Sequence, residues 1–466
     1  MKIKMNISAV LSVTALCSFF SVMSAQTVEL SLDRCKEMAA ENNPYVRNAG
    51  LDIMAARAQK QEALAEYFPK VSITAFSFHA FSPMLEIGLT DILGHSDFTH
   101  NLQNIINNLA GQYGFNPVYS TLKYGVTASV SVMQPIFAGG RIVTGNRLAA
   151  LGVEAATLQG NVQKRKTSED IEKSYWQVIS LREKLMTLDA LDGLLDTLYR
   201  DVSSAVAAGL ATESDLLQVR LKKNEIRSGK IKVNNAVRLS KMNLFNSIGQ
   251  QYNPYTTVQM DSVPYIDDIV LSGSLADLQA PEEYYRPEEE VAAELDETRL
   301  LELSVESKRL EKRMALGEAL PQLAIGVGYG YNRLVTNGSF NGSVYAMLQV
   351  PISDWGKISK KMKRLDIQMQ KAENEREYIN QQLLLQVRQL WMDLTASWEQ
   401  LLVSQESIAA AESTVRQLSD HYKAGLIPIS ELLQSQTQLR QTADQYVDNC
   451  IAYRTALQAY LGRTGK

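Results

Sequence analysis

The chain has 466 residues, 45% of them hydrophobic and 21% charged, with a net charge of −4 at pH 7. That length and composition fit a folded protein of two or three ordinary domains. The absence of a basic block excludes a nucleic-acid partner, and three cysteines are too few for a disulfide framework.

The chain opens with Lys2 and Lys4, a mostly apolar run from Ile7 to Val22, and Met23-Ser24-Ala25 before Gln26. Residues 1–25 therefore read as a secretory signal peptide, and the apolar run is short for a membrane span. Leu16, not a small residue, precedes Cys17, so no lipid anchor is predicted there. No later segment approaches the roughly 18 apolar residues of a transmembrane helix.

Residues 26–250 form a first repeat. A helical stretch closes at Tyr67-Phe68-Pro69-Lys70, and an alternating strand follows over about 70–81. Val71, Ile73 and Ala75 share one face of it, and the pattern becomes ambiguous at Phe76 and Phe78. Loop 82–121 has no Lys or Arg, and His100 to Tyr113 reads as a short amphipathic helix. The next strand spans about 122–134. Leu122, Tyr124, Val126, Ala128, Val130 and Val132 lie on one face, and Lys123, Gly125, Thr127, Ser129 and Ser131 on the other. Gln134-Pro135-Ile136-Phe137 ends that strand, and Gly139-Gly140-Arg141 starts a helix over 141–208. Gly209 is a C-cap and turn, and a return helix covers 213–248.

Residues 251–295 hold Asp261, Asp267, Asp268, Asp277, Glu282, Glu283, Glu288, Glu289 and Glu290 among four prolines. This acidic, proline-rich segment reads as a connector, either a solvated linker or an equatorial region partly ordered around the middle of the helical body. The second repeat, 296–466, then repeats the first in order. Ala319-Leu320-Pro321-Gln322 opens a strand over about 322–331. Leu323, Ile325, Val327, Tyr329 and Tyr331 alternate there with Ala324, Gly326, Gly328 and Gly330. A short loop carries Asn332, Asn337, Gly338 and Asn341. The next strand covers about 342–350, with Val344, Ala346, Leu348 and Val350 on one face. Val350-Pro351-Ile352-Ser353-Asp354-Trp355-Gly356-Lys357 then starts a helix over 357–424, and Gly425 turns it into a return helix over 430–462. Pro135 to Pro351 and Gly209 to Gly425 are the same distance along the chain, and Pro69 to Pro321 is wider by the extra length of loop 82–121. An internal duplication is the architecture this predicts.

All 12 prolines lie outside 136–253, 352–427 and 429–466, so each of those stretches is free to be a long helix. Leu181, Leu185, Leu188, Leu191, Leu195 and Leu198, and Leu383, Val387, Leu390, Leu394 and Leu401, follow coiled-coil spacing. At 1.5 Å per residue the two longest helices reach roughly 100 Å. The strands are about the 9–11 residues of a tilted transmembrane strand. A soluble sheet packed on a helix alternates in the same way, and the signal peptide, the small polar face and the lack of a partner layer favour the membrane. Four strands cannot close around a pore, and backbone in lipid must be paired. Each chain therefore supplies part of a shared barrel, with three chains giving twelve strands.

The chemistry of catalysis is missing. There is no Gly-rich phosphate loop, no paired-cysteine metal site and no His-x-x-x-His, and the four histidines are scattered. The reading is a non-enzyme with no cofactor and no metal. Placed along the helices, Cys35 and Cys450 fall at heights differing by more than the ~7 Å that a disulfide spans, which predicts two separate thiols.

The duplicated unit, the Gln134-Pro135-Ile136-Phe137 strand end and the paired Gly-Leu…Asp/Glu-Leu-Leu turns resemble the TolC family of outer-membrane efflux proteins, over essentially the whole mature chain. The resemblance implies a homotrimer whose twelve-stranded β-barrel crosses the outer membrane of a Gram-negative bacterium, continuous with a long periplasmic α-helical barrel. It implies three partners: outer-membrane lipid, a periplasmic adaptor and an inner-membrane transporter. Asp215 and Glu431, each six residues past its glycine, correspond to tip carboxylates of a periplasmic gate, and Tyr422 to a position holding neighbouring tips together. Gln218 and Gln434 would form a neutral ring one turn further in. Ala208, Gly209 and Leu210, with Ala424, Gly425 and Leu426, are the expected adaptor contacts. The chain departs from some relatives in carrying Ile427 and Gln434 where they place an arginine and a second acid, so its closing contacts are expected to be less ionic. For Asp215 and Glu431 the bland alternative is a first-turn carboxylate favoured by the helix dipole; for Tyr422 it is coiled-coil packing. For the whole chain the alternative is a soluble periplasmic adaptor or coiled-coil structural protein, which usually carries one central hairpin rather than two.

Overall fold

The computed structural model describes residues 28–82, 84–87, 89–114, 119–121, 124–255, 263–275, 278–334 and 338–465. The signal segment 1–25, Leu122, Lys123 and Asn337, and Asp261 and Asp277 of the connector, lie outside the described residues. In chain order the first elements are β1 (Val28–Leu30), α1 (Leu32–Asn42), α2 (Pro44–Ala65), β2 (Lys70–His79), β3 (Leu85–Ile87), α3 (Leu89–Leu93), α4 (Asp97–Tyr113) and β4 (Tyr119–Thr121). There follow β5 (Tyr124–Ala138), α5 (Arg141–Ala207), α6 (Glu213–Ile248), β6 (Ile269–Leu271) and α7 (Glu288–Glu294). The second half holds α8 (Asp296–Gly317), β7 (Gln322–Arg333), β8 (Ser339–Gln349), α9 (Lys357–Lys423) and α10 (Ile429–Thr464).

Two compact units result, and neither is a sequence half. A helical unit takes the described parts of Met1–Ile53, Ala156–Leu300 and Glu377–Lys466, and a sheet unit those of Met54–Ala155 and Leu301–Arg376.

The sheet unit centres on a four-stranded antiparallel sheet in the order β2-β5-β7-β8. Its register aligns Val71, Val132, Val327 and Val344 in one row. Residues directly opposite one another share a face, so the apolar set of every strand lands on the same side. β5 does not end at Gln134, as its proline suggested, but runs on to Ala138. The register against β7 shifts between Pro135 and Phe137. A bulge there lets a central strand carry a residue with no N–H to donate. At the turn into α5, Gly139 has φ +64°, and a Cβ there would collide with the Gly317 backbone. The Asn146 side-chain amide donates to the Ala63 carbonyl at 2.7 Å, and Lys361 pairs with Glu318 at 2.7 Å. These contacts tie the helix ends together around the sheet. In loop 82–121, α4 starts three residues before the expected helix, where Ser96 and Thr99 form a capping box.

The helical unit is built from two helical hairpins. Of the leucines singled out by spacing on α5, Leu188, Leu191, Leu195 and Leu198 are buried in its core, while Leu181 and Leu185 are half-buried. A second cluster joins Ile171, Tyr175 and Ile179 of α5 to Leu244 and Ile248 of α6 and Cys35 of α1. A third joins Leu394 and Leu401 of α9 to Cys450, Tyr453 and Tyr460 of α10. The two cysteines thus sit in different clusters, and both are buried free thiols.

The connector departs from the solvated linker that its charge suggested. β6 pairs in parallel with β1, and Ile266, Ile269 and Leu271 are buried in the Cys35 cluster. Arg182 donates to the Leu271 and Gly273 carbonyls at 2.6 and 2.8 Å. Three apolar side chains at about 2 kcal/mol each anchor the segment, and the nearby Asp267 carboxylate pairs with Arg238 at 2.5 Å. No helix among the described residues is long and apolar enough to cross a membrane.

Candidate functional site

The two hairpin turns end in the same way. At the first, Gly209 has φ +74°; its N–H donates to the Val206 carbonyl at 2.9 Å, and that of Leu210 to Ala205 at 2.8 Å. At the second, Gly425 has φ +72°, with its N–H on Tyr422 and that of Leu426 on His421, both at 2.9 Å. This is the Schellman closure, which needs a left-handed residue and so selects glycine. Ala208, Gly209, Leu210, Ala424, Gly425 and Leu426 are all exposed, and Leu210 and Leu426 stand 84% and 71% open to solvent.

The return helices start differently. Thr212 caps α6 with a capping box. The Asp215 N–H donates to Thr212 Oγ1 at 3.2 Å, while Thr212 N–H and Oγ1 donate to Asp215 Oδ2 at 3.0 and 2.7 Å. Pro428 caps α10 with no side-chain bond, and Glu431 is exposed in its first turn. Asp215 is therefore both a helix cap and a negative charge at the tip. Glu431 is a charge alone.

Packing brings both tips together in one chain. Val202 of α5, Val219 of α6 and Ile429, Leu432 and Leu433 of α10 form one buried cluster. Tyr422, half-buried, packs on its edge. Burial, and then the Asp215 and Asp201 carboxylates, raise the Tyr422 phenol above its ordinary range. The tyrosine thus packs on the cluster shared by both tips, within electrostatic reach of the carboxylates of the first. Gln218 is half-buried and Gln434 exposed, each one turn beyond its carboxylate.

One feature beside the tips was not singled out from the sequence. Lys230 of α6 pairs with Asp189 and Asp192 of α5 at 2.9 and 2.8 Å, and Lys223 pairs with Asp196. The Lys223 hydrogen bond lowers the Asp196 carboxyl below its usual range. The signal was legible as an Asp189, Asp192, Asp196 stripe at helical spacing facing Lys223 and Lys230 one heptad apart. Among the described residues, no group of three or more His, Cys, Asp and Glu side chains could hold a metal.

The outer membrane efflux protein family matches residues 36–250 and 299–463. The chain belongs to that family. Comparison with curated proteins finds no match. Among solved structures, this efflux protein is similar to a membrane protein from Pseudomonas aeruginosa, at 15% identity, with 93% of each chain covered and a TM-score of 0.72. It is similar to the outer membrane protein VceC from Vibrio cholerae, at 14% identity, with 93% of this chain and 96% of that chain covered and a TM-score of 0.69. It is also similar to the MtrE outer membrane channel of Neisseria gonorrhoeae, at 14% identity, with 96% of this chain and 93% of that chain covered and a TM-score of 0.68. At these identities the likeness establishes a shared channel fold, and the roles of the tip residues are argued from this chain alone.

Proposed function

We propose that three copies of this efflux protein assemble into an exit duct that carries cargo unreacted across the periplasm and the outer membrane, as the outermost part of a tripartite pump. The observation that carries this reading is the sheet. Its end strands β2 and β8 each have one partner among the described residues, and the face that carries Val71, Val132, Val327 and Val344 is mostly apolar, with Ser77 and Arg333 only toward its loop end. In lipid an open edge leaves several backbone groups without partners, at a cost of several kcal/mol each. Pairing β8 of one copy with β2 of the next satisfies both edges, and three copies of four strands close a twelve-stranded barrel. The helices also support assembly with neighbouring copies. Tyr378, Leu385 and Met392 recur once per heptad on α9 and are exposed. Leu217, Leu221, Ile231 and Leu239 make an exposed stripe on α6. Apolar heptad seams in a single chain are the surfaces that helix neighbours cover.

In the assembled duct most of the mass lies in the periplasm, and the hairpin tips form its inner end. Asp215 and Glu431 from each copy ring the opening and filter for cations, and Gln218 and Gln434 form a neutral ring behind them. Tyr422 holds the closed tips by packing on the Val202–Leu433 cluster. The exposed Ala208-Gly209-Leu210 and Ala424-Gly425-Leu426 turns receive a periplasmic adaptor, which connects the duct to an inner-membrane transporter. Electron microscopy of the mature protein, extracted from outer membranes in mild detergent, tests the assembly. A threefold tube with a detergent belt at one end and a helical shaft is the expected image, and a monomeric rod that needs no detergent would refute it.

A further inference from the structure

Two phenylalanines stand on the wrong face of the membrane sheet for a lipid contact. Val71, Ile73 and Ala75 of β2 sit opposite Val132, Val130 and Ala128, and this is the apolar face. Phe76 and Phe78 have the other parity. Phe76 is opposite Thr127, which pairs with Asn332, which pairs with Ser339. Phe78 is opposite Gly125. The rings are 5.8 Å apart and inclined at 31°. Phe76 projects from the wall with 59% of its surface exposed, and Phe78 is half-buried behind it. Gly125 makes the space: a Cβ there would run into the Phe78 ring and lie 2.7 Å from the Leu334 side chain. A serine or threonine at 76 and 78 would match Thr127, Ser129, Ser131, Asn332 and Ser339 on this face and remove the apolar rings from water.

We propose that Phe76 and Phe78 form an aromatic collar on the lumen face of the barrel, near its loop end, that holds aromatic cations as they leave. The inference rests on the barrel reading above. β2 is an end strand, so each pair of rings lies beside a seam between copies and the pairs are spread around the bore. Hydrophobic constrictions in a water-filled pore retard ions and favour solutes with apolar faces. Ring faces attract cations, and more strongly where water is thinned. The loop that follows β2 adds Glu86, Asp91 and Asp97 and contains no Lys or Arg from 82 to 121, a field that concentrates cations at the mouth.

The test is block of single-channel current in planar bilayers by tetraphenylphosphonium, with tetraethylammonium as the non-aromatic control. Wild-type protein should be blocked by the aromatic cation and little affected by the other. F76S/F78S should need at least tenfold more blocker, F76L/F78L should weaken block as well, and F76Y/F78Y should restore it. Phe340→Ser serves as the control, because Phe340 pairs with Tyr331 on the lipid face and its loss should leave block unchanged. Heat-modifiable oligomers on a gel confirm that each variant assembles. Equal block of wild type and the F76S/F78S and F76L/F78L variants, or no block of wild type, would overturn the collar. Absence of any conducting wild-type oligomer would instead overturn the barrel reading beneath it.

Discussion

Replacing Thr212 by alanine separates the capping bond that Asp215 makes at the hairpin tip from the charge filter proposed for it. The substitution removes the hydroxyl that accepts from Asp215 N–H at 3.2 Å and donates to Oδ2 at 2.7 Å, and leaves the 3.0 Å bond from the Thr212 N–H. Loss of an N-cap costs about 1 kcal/mol, which is roughly a fivefold shift toward a frayed first turn of α6. The charge of Asp215 is untouched. Asp215→Asn does the reverse. It keeps an acceptor in the same place, loses the charge, and gives up only the ~0.3–1 kcal/mol of dipole attraction. In planar bilayers with a tenfold salt gradient, a perfectly cation-selective pore reverses at about 59 mV. Asp215→Asn combined with Glu431→Gln should reduce the wild-type reversal potential by at least half, with little change in gating. Thr212→Ala should leave the reversal potential where it was and make openings more frequent. An unchanged reversal potential in the charge variant would reduce Asp215 and Glu431 to ordinary first-turn carboxylates. A shift in Thr212→Ala as large as in Asp215→Asn would show that tip geometry, not charge, sets selectivity.

Other perturbations probe the frame that holds the tips. Gly209→Ala meets only left-handed strain, because nothing lies within 4 Å of its Cβ, and should cost about 1–2 kcal/mol. Gly249→Ala has the same strain at φ +79°, and its Cβ would lie 2.6 Å from the Asn42 carbonyl oxygen, so denaturant melts should show a loss of roughly 3 kcal/mol or more. Glu172 is buried between Lys36 at 2.6 Å and the Trp176 indole N–H at 3.2 Å. Lys36→Met strands that carboxylate and should cost about 3 kcal/mol by thermal unfolding, while Lys36→Met with Glu172→Met should recover most of it. Burial pushes the Cys35 thiol up to about 11. The unfolded chain loses that proton first, so stability is full below about pH 8.5 and falls as pH rises toward 11, by at most about 3 kcal/mol. Cys35→Ala should flatten that decline, and an equally steep fall in the variant would place its origin elsewhere. Leu385→Glu with Met392→Glu should dissociate the oligomer in sedimentation, because both lie on the exposed α9 seam; an intact oligomer would move the helical interface to another face.

Much of this architecture was legible in the primary structure because its signals are local. Proline-free stretches and leucines at heptad spacing specify α5 and α9, since periodicity alone determines which side chains share a stripe. Alternation from Tyr124 to Val132 specifies the two faces of β5 for the same reason. Gly209 and Gly425 mark turns because only glycine takes φ near +70° without strain. The sequence places Asp215 and Glu431 six residues past each turn glycine, but it does not show the bonds that Asp215 makes to Thr212. Those depend on a side-chain rotamer at one helix start and are missing at the other, where Pro428 stands. The charge of the connector was misleading about its packing. Ile269-Val270-Leu271 is too short an apolar run to announce a strand, and only pairing with β1 beside Tyr175 and Cys35 makes it one.

Local periodicity thus determined the helices, the strands and the turns. Tertiary structure decided that β5 of the first repeat lies beside β7 of the second, that both tips share one cluster, and that Phe76 and Phe78 stand on the polar face. Each of these is a pairing between residues far apart in the chain. Such a pairing is set by complementary shape and by backbone groups that need partners, and no window along the sequence contains both of its sides.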